Sequence, residues 1–326
     1  MAYFLIAVST KTNLDLCLKY ALAGVTNSRN GLWAYVDIEE GDYVSFLYGA
    51  KAFNLYQVVE KKAIRNAQTA PPWPSIFLGA YGKTYYFPFR LQLKPVRSFE
   101  ESLVRAEFAY VAENLLLRGG YWRTHFQADQ TTLQAVSQMG TLTSAKPSSL
   151  AVTGYPTFEP QITWDKTLSR PPEVFLFIEQ VLQSLLRKWL MRPENLATIL
   201  ESMDLRDLDA RQFETLGEKA FPEGHADLLV KETVPIGTAK KIVIEVKQGR
   251  AQPKDLDQLT GYMKELGAEC LGSLFVARDF SAKTLREAKG KSVLPMQYSF
   301  GELHATKAGS TFRYTDLQNN LRISLP

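Results

Sequence analysis

The stretch that decides the fold runs Gly224-His225-Ala226-Asp227-Leu228-Leu229-Val230, then Ile242-Val243-Ile244-Glu245-Val246-Lys247, then Gln258-Leu259-Thr260-Gly261-Tyr262. Ile242, Val243, Ile244 and Val246 form the β-branched run of a buried strand, expected over Lys240 to Lys247. Alternation along that strand sends Glu245 and Lys247 to the same face. Lys231 to Ala239, with Pro235 and Gly237, reads as a hairpin loop that brings Asp227 beside the pair. Two carboxylates and a lysine at one sheet edge suit a specific chemistry. Asp227 and Glu245 offer hard oxygens to Mg2+, which takes one or two carboxylates and completes its shell with waters and phosphate oxygens. Such an ion polarises a phosphate and acidifies a bound water. Lys247 would position that water or neutralise developing charge. The plainer alternative is an edge-strand salt bridge of Glu245 with Lys247 or Lys241.

Gln258 and Tyr262 stand four apart on the following helix and share a face. Asp227, the Glu245-Val246-Lys247 triplet on its apolar strand, the Gly-His-Ala before the aspartate and the Gln258/Tyr262 pair together resemble the PD-(D/E)xK nuclease superfamily, over about residues 205 to 300. The resemblance implies a restriction-endonuclease-like mixed sheet flanked by helices. It also implies a Mg2+-dependent endodeoxyribonuclease in which Mn2+ substitutes. Asp227, Glu245, Lys247 and Gln258 would be catalytic, and Asp227 and Glu245 the metal ligands. Leu208 to Glu214 resembles the first-helix motif of related nucleases, which makes Glu214 an outer carboxylate; a surface glutamate is the alternative. Relatives of this kind commonly dimerise. A homodimer through the C-terminal domain is therefore expected, with the apolar helix read over Glu173 to Met191 as the contact. A helix over Glu194 to Met203, a helix ending at Gly267, strands at Cys270 to Ala277 and Met296 to Phe300, and a helix at Ser281 to Lys289 complete the pattern.

Towards the N-terminus the signals are shorter. Tyr3 to Val8 reads as a strand and Leu14 to Ala23 as a helix. Gly31 to Val36 reads as a strand or its approach, and Tyr43 to Tyr48, Phe53 to Val59 and Tyr85 to Leu93 as further strands. This is a small mixed sheet expected to curl into a partial barrel. Phe4-Leu5-Ile6, Gly31-Leu32-Trp33 and Gly41-Asp42-Tyr43-Val44-Ser45-Phe46-Leu47-Tyr48, in that order, resemble the YTH/EVE group of PUA-like domains over roughly residues 1 to 130. The resemblance implies a pocket for a modified base flipped out of double-stranded DNA. Trp33 would be one wall, Trp73 in its proline-flanked loop a second and Leu78 a third, with Asn13 on the base edge. Ala34 follows Trp33 where YTH members usually show Ser. Aromatic walls restore about 1–3 kcal/mol of stacking to a displaced base. A core tryptophan is the alternative for Trp33. Lys61, Lys62 and Arg65 beside this domain, and Arg250 and Lys254 beside the other, are candidate phosphate contacts, a solvated charge run being the alternative for the first three.

Helical spacing covers Phe99 to Leu117 and Thr131 to Met139, with Trp122 packed between. Gly140 to Pro172 is rich in Ser, Thr, Gly and Pro and reads as a linker, which Phe158, Ile162 and Trp164 lay against a surface rather than leave fully free. The expected organisation is thus an α/β (α+β) two-domain chain: reader domain 1–139, linker 140–172 and endonuclease domain 173–326. A net charge of +4 permits nucleic-acid binding. Two cysteines and three histidines, scattered, give no disulfide framework and no histidine metal site. No apolar run reaches the roughly 18 residues a membrane span needs; a cytoplasmic location and no membrane partner are expected. Three functions fit: a modification-dependent restriction endonuclease, a structure-selective nuclease acting on mismatches, flaps or ends, and a modified-base binding protein whose nuclease domain is inert.

Overall fold

The computed structural model describes residues 1–49, 51–79, 82–101, 103–104, 124–143, 146–148, 150, 154–221, 224–304 and 309–326. The chain divides into two compact units. The first holds the described residues up to Phe177 and also Gly309–Tyr314; the second holds the described residues of 178–304 and Thr315–Pro326.

In the first unit the elements are β1 (Tyr3–Ala7), α1 (Lys11–Tyr20), β2 (Leu22–Val25), α2 (Arg29–Asp37), β3 (Tyr43–Tyr48), β4 (Lys51–Ile64), β5 (Ile76–Leu78), β6 (Lys83–Tyr85), β7 (Phe89–Ser98), β8 (Leu103–Val104), β9 (His125–Ala128), α3 (Gln130–Gln138), β10 (Thr141–Leu142), β11 (Thr157–Phe158), β12 (Gln161–Thr163) and β13 (Val174–Leu176). The sheet runs β10-β7-β4-β3-β1-β9, with β2 on β7 and with β8 and β11 on β4. Among the described residues its end strands do not pair with each other, and the sheet does not close into a barrel. Among them, too, β5 and β6 pair only with one another. Tyr3, Leu5, Leu47, Leu55, Phe126 and Val136 build one core cluster. The buried Tyr3 hydroxyl stays satisfied by donating to Ser45 Oγ at 2.8 Å.

Three sequence expectations change here. Gly31 to Val36 is not a strand but the body of α2. The Ser28 hydroxyl accepts the Gly31 amide at 3.2 Å and starts a helix, and a capped start outweighs the β-prone residues that follow. Trp33 is thereby turned into the interior. Its ring meets that of His125 edge-on at 4.8 Å, and His125 Nε2 lies 3.0 Å from Asp37 Oδ2, with both side chains buried. Trp33→Phe is expected to destabilise the unit by about 1–2 kcal/mol through the space it opens, as paired thermal melts would show. Residues 140–172, read as a linker laid against a surface, contribute strands, since β10, β11 and β12 within them pair with β7, β4 and β13. Of the helix expected over Phe99 to Leu117, Leu103–Val104 instead pairs with β4; residues 105–117, and Trp122, lie outside the described residues.

The remaining elements are α4 (Glu179–Leu190), α5 (Pro193–Ser202), β14 (Phe213–Phe221), β15 (Gly224–Glu232), β16 (Lys241–Arg250), α6 (Pro253–Leu266), β17 (Cys270–Asp279), α7 (Ala282–Gly290), β18 (Val293–Ser299), β19 (Phe312–Arg313), α8 (Tyr314–Asn320) and β20 (Arg322–Ser324). β19 belongs to the first unit, where it pairs with β12. The second unit's sheet runs β14-β15-β16-β17-β18-β20. β14 to β16 form an antiparallel meander, β16 to β18 are parallel, and β20 returns antiparallel. This is the α/β mixed sheet flanked by helices that the pattern predicts. Its central parallel strands are apolar and buried because both faces are covered. The helix expected from Glu173 starts at Glu179, because Val174–Leu176 pair with β12. Val181, Leu182, Leu185, Leu186 and Leu190 of α4 are at most 1% exposed, so these side chains are not open to a second copy. Among the described residues no helix is long and apolar enough to cross a membrane.

Candidate active site

β15 and β16 pair from Lys231↔Lys241 to Leu228↔Ile244, and there the ladder stops. One residue further, the Asp227 side chain takes over. Its Oδ2 accepts the Val246 amide at 2.7 Å, and its Oδ1 accepts Gln183 Nε2 at 2.6 Å. The end of the hairpin thus fixes a carboxylate instead of a main-chain pair. On β16, Glu245 and Lys247 project to one side, as alternation requires. Lys247 Nζ donates to Glu245 Oε1 at 2.7 Å and stands 3.5 Å from Glu179 Oε1. Glu179 Oε2 accepts the Gln248 amide at 3.2 Å. Two strands therefore supply Asp227, Glu245 and Lys247, while α4 supplies Glu179 and Gln183 one turn apart on one face.

Glu179 and Gln183 are the residues that sequence reasoning missed. Their spacing puts them on one face of α4, but Gln180, Ser184, Arg187 and Lys188 are polar too, so the sequence does not single them out; in the fold Gln183 is only 5% exposed. Glu214, assigned that outer position, is elsewhere. It lies at the start of β14, opposite Lys231, whose Nζ is 3.4 Å from its Oε1. The expected first helix is a short turn, Ala210–Gln212, that ends before it. Gln258 donates through Nε2 to Tyr262 Oη, as their spacing predicts. Tyr262 is fully buried and stacks on Phe221 at 4.8 Å. A Cβ at Gly224, where φ is +153°, would lie 2.8 Å from Tyr262 Oη. The Gln258–Tyr262 pair consequently braces the start of β15, three residues before Asp227.

Burial, then the Glu245 carboxylate, pushes the Asp227 carboxyl well above the ordinary carboxylate range. Burial likewise pushes Glu245 up to about 7, against the pull of Lys247. For Lys247 burial acts downward, but Glu245, Asp227 and Glu179 outweigh it and hold the ammonium above the usual lysine value. One cation faces three carboxylates, two of them taken out of water. Glu245 Oε2 and Gln183 Oε1 are buried with no hydrogen-bond partner. Such an unsatisfied anionic site fits a hard divalent cation held by two carboxylates. Among the described residues no group of three or more His, Cys, Asp or Glu is placed to hold a metal ion. Gln183→Leu keeps the bulk and removes the donor to Asp227. It is expected to weaken metal affinity by roughly 10–100-fold, the usual cost of losing a partner of a ligand, as calorimetric Mn2+ titration would show.

In the first unit a cleft of about 1550 Å³ is lined by Asn13 and Trp73. Trp73 is 4% exposed and lies against Gly24, where a Cβ would come within 2.5 Å of the indole. Arg90 stacks over the ring at 4.9 Å and holds its loop by donating to the Pro71 carbonyl at 2.5 Å. Trp33 does not line this cleft but lies in the core, so it is not a wall. The Leu78 side chain lies outside the described residues. Lys61 is no phosphate contact either. Its ammonium is buried, bonded to the Ile38 carbonyl at 2.5 Å and set over the Tyr35 ring at 4.7 Å. Lys62 pairs with Glu60 at 2.8 Å, Arg65 makes a two-pronged contact with Glu173, and Arg250 pairs with Asp279 at 3.1 Å, all near the surface. Lys254 is exposed on the first turn of α6.

No family model and no curated protein matches the chain. Among solved structures, a repair endonuclease from Pyrococcus abyssi is similar over 31% of this chain and 42% of its own, at 16% identity and a TM-score of 0.22. The chain thus spans less than half the length of that protein. The MspJI restriction endonuclease, in complex with a 27-mer oligonucleotide, is similar over 88% of this chain and 62% of its own, at 10% identity and a TM-score of 0.19. The DNA modification-dependent restriction endonuclease AspBHI is similar over 86% and 64%, at 11% identity and a TM-score of 0.19. At such low TM-scores these similarities carry no argument about this chain.

Proposed function

We propose that the protein is a Mg2+-dependent DNA endonuclease whose first unit reads a modified base in double-stranded DNA. The observation that carries the hydrolytic part is the buried Asp227–Glu245 pair with Lys247 bonded to it. Asp227 and Glu245 would hold the ion, and Mn2+ would substitute for Mg2+. When bound, the ion polarises the scissile phosphate and acidifies a water. Lys247, kept as an ammonium, donates to the attacking water or to a phosphate oxygen and offsets charge gathering there. Gln183 and the Val246 amide fix the orientation of Asp227, and Glu179 fixes that of Lys247. Gln258 acts at one remove, by bracing the strand that carries Asp227.

The reading role rests on the cleft bordered by Trp73 and Asn13. The chain would act as a homodimer through its second unit, by a surface other than α4. The absence of Trp33 from the cleft favours one second reading, in which the first unit grips nucleic acid generally and the nuclease selects structure. Matched plasmids decide between them: unmodified, or carrying 5-methylcytosine, hydroxymethylcytosine, its glucosylated form or N6-methyladenine, alongside a branched DNA, with Lys247→Ala as control. Cutting confined to one modified plasmid and absent in the control is expected. Cutting of branched DNA regardless of modification would replace the reader by structure selection. No cutting of any substrate would leave a binding protein.

A further inference from the structure

The three cations that the sequence offered as phosphate contacts in the first unit are committed elsewhere, Lys61 in the interior and Lys62 and Arg65 to glutamates. The cleft itself presents two others. Arg29, at the start of α2, and Lys83, at the start of β6, both line it, and both are exposed. Neither takes part in an ion pair or side-chain hydrogen bond among the described residues. Among the described residues that line the cleft none is an aspartate or glutamate, although the chain has 34 of them. A concave wall with two cations and no carboxylate focuses a positive potential and favours an anionic ligand. Arg29 also stands where a cation is opposed by the helix dipole, in a first turn with no acidic residue. Its position therefore does nothing for the helix and makes sense beside an anion.

We propose that Arg29 and Lys83 hold the backbone phosphates flanking a nucleotide whose base enters the cleft beside Trp73 and Asn13. This rests on the nucleic-acid-reading role given to the first unit above. Arg29 offers a planar fork to phosphate oxygens and Lys83 a point charge. Such contacts position the strand and carry no sequence information, so discrimination among bases is left to the cleft.

The test is binding of full-length protein to one duplex, modified and unmodified, in metal-free buffer from about 50 to 200 mM salt, read by fluorescence anisotropy. Arg29→Gln and Lys83→Gln are each expected to reduce the slope of log K against log salt by about 1. Each should weaken both duplexes by the same factor, while Lys62→Gln leaves the slope unchanged. Because both side chains are exposed, thermal melts should match wild type. An unchanged slope in the Arg29 and Lys83 variants, or a slope lost in the Lys62 variant instead, overturns the assignment. Equal wild-type affinity for modified and unmodified duplex would remove the modified-base role alone. The slope loss would then still uphold the two phosphate contacts.

Discussion

Lys247→Ala is expected to lower cleavage by roughly 10²–10³-fold, which corresponds to the about 3–4 kcal/mol that one well-placed electrostatic donor contributes to a transition state, with DNA binding unchanged. Lys247 is the cation bonded to Glu245, and three carboxylates hold it protonated. It therefore acts as a charge and a hydrogen-bond donor and not as the base that takes a proton from water. Lys247→Arg keeps the charge but spreads it over a planar fork that fits the single Glu245 oxygen differently. Partial recovery is expected, still below wild type. Single-turnover cleavage in Mg2+, with melts alongside, separates this role from a structural one. A purely structural ion pair would cost melting temperature and leave the rate of the folded fraction intact. A cleavage rate within ten-fold of wild type in Lys247→Ala would end the assignment.

The second unit was far more legible in sequence than the first. Strand alternation and the β-branched run place Glu245 and Lys247 on one face, and a proline- and glycine-bearing loop brings Asp227 to them. Those are local signals, an apolar run and a turn, and they are legible because they need no partner from a distant part of the chain. Glu179 and Gln183 are 48 and 44 residues before Asp227 in number, and only tertiary packing of α4 on the sheet brings them in. Glu214 illustrates the converse: a segment that reads as helix is taken into β14 by pairing with β15. In the first unit the same override works against the reading. Ser28 caps a helix through residues whose propensities favour strand, and Trp33 goes to the core. Short strands such as β10 to β12 are held by their partners and carry no periodicity of their own, so 140–172 reads as linker. The pairing of the cations is hidden for a related reason. Charge runs show in sequence, whereas their partners at Glu60, Glu173 and the Ile38 carbonyl do not.

Glu245→Gln is expected to stabilise the second unit in metal-free buffer, and more so at neutral than at acid pH. The Glu245 side chain is 2% exposed, and burial pushes its carboxyl from 4.5 up to about 7. The unfolded chain keeps the ordinary value. Between those two values the folded state retains a proton that the unfolded state releases, so wild-type stability falls as pH rises from about 4.5 to about 7. At about 1.4 kcal/mol per unit, the full span is about 3 kcal/mol. Glutamine has the same shape and no charge to desolvate, which removes this slope. It also relieves Asp227, for which Glu245 is the second cause of its raised value. Lys247 keeps Glu179 within reach, at 3.5 Å, so the ammonium is not stranded. Added Mg2+ should reverse the order, since an ion that binds only the folded wild type stabilises it by mass action. Melts of both proteins across that pH range, with and without Mg2+, check the argument. A wild-type melting temperature that does not fall between about pH 5 and 7 would contradict the strain assigned to the carboxylate pair. Equal response of the two proteins to Mg2+ would contradict its role as the ion's holder. The expected pattern is that of a site kept at the expense of stability, because two buried carboxylates are favourable only with the ion they are arranged to hold.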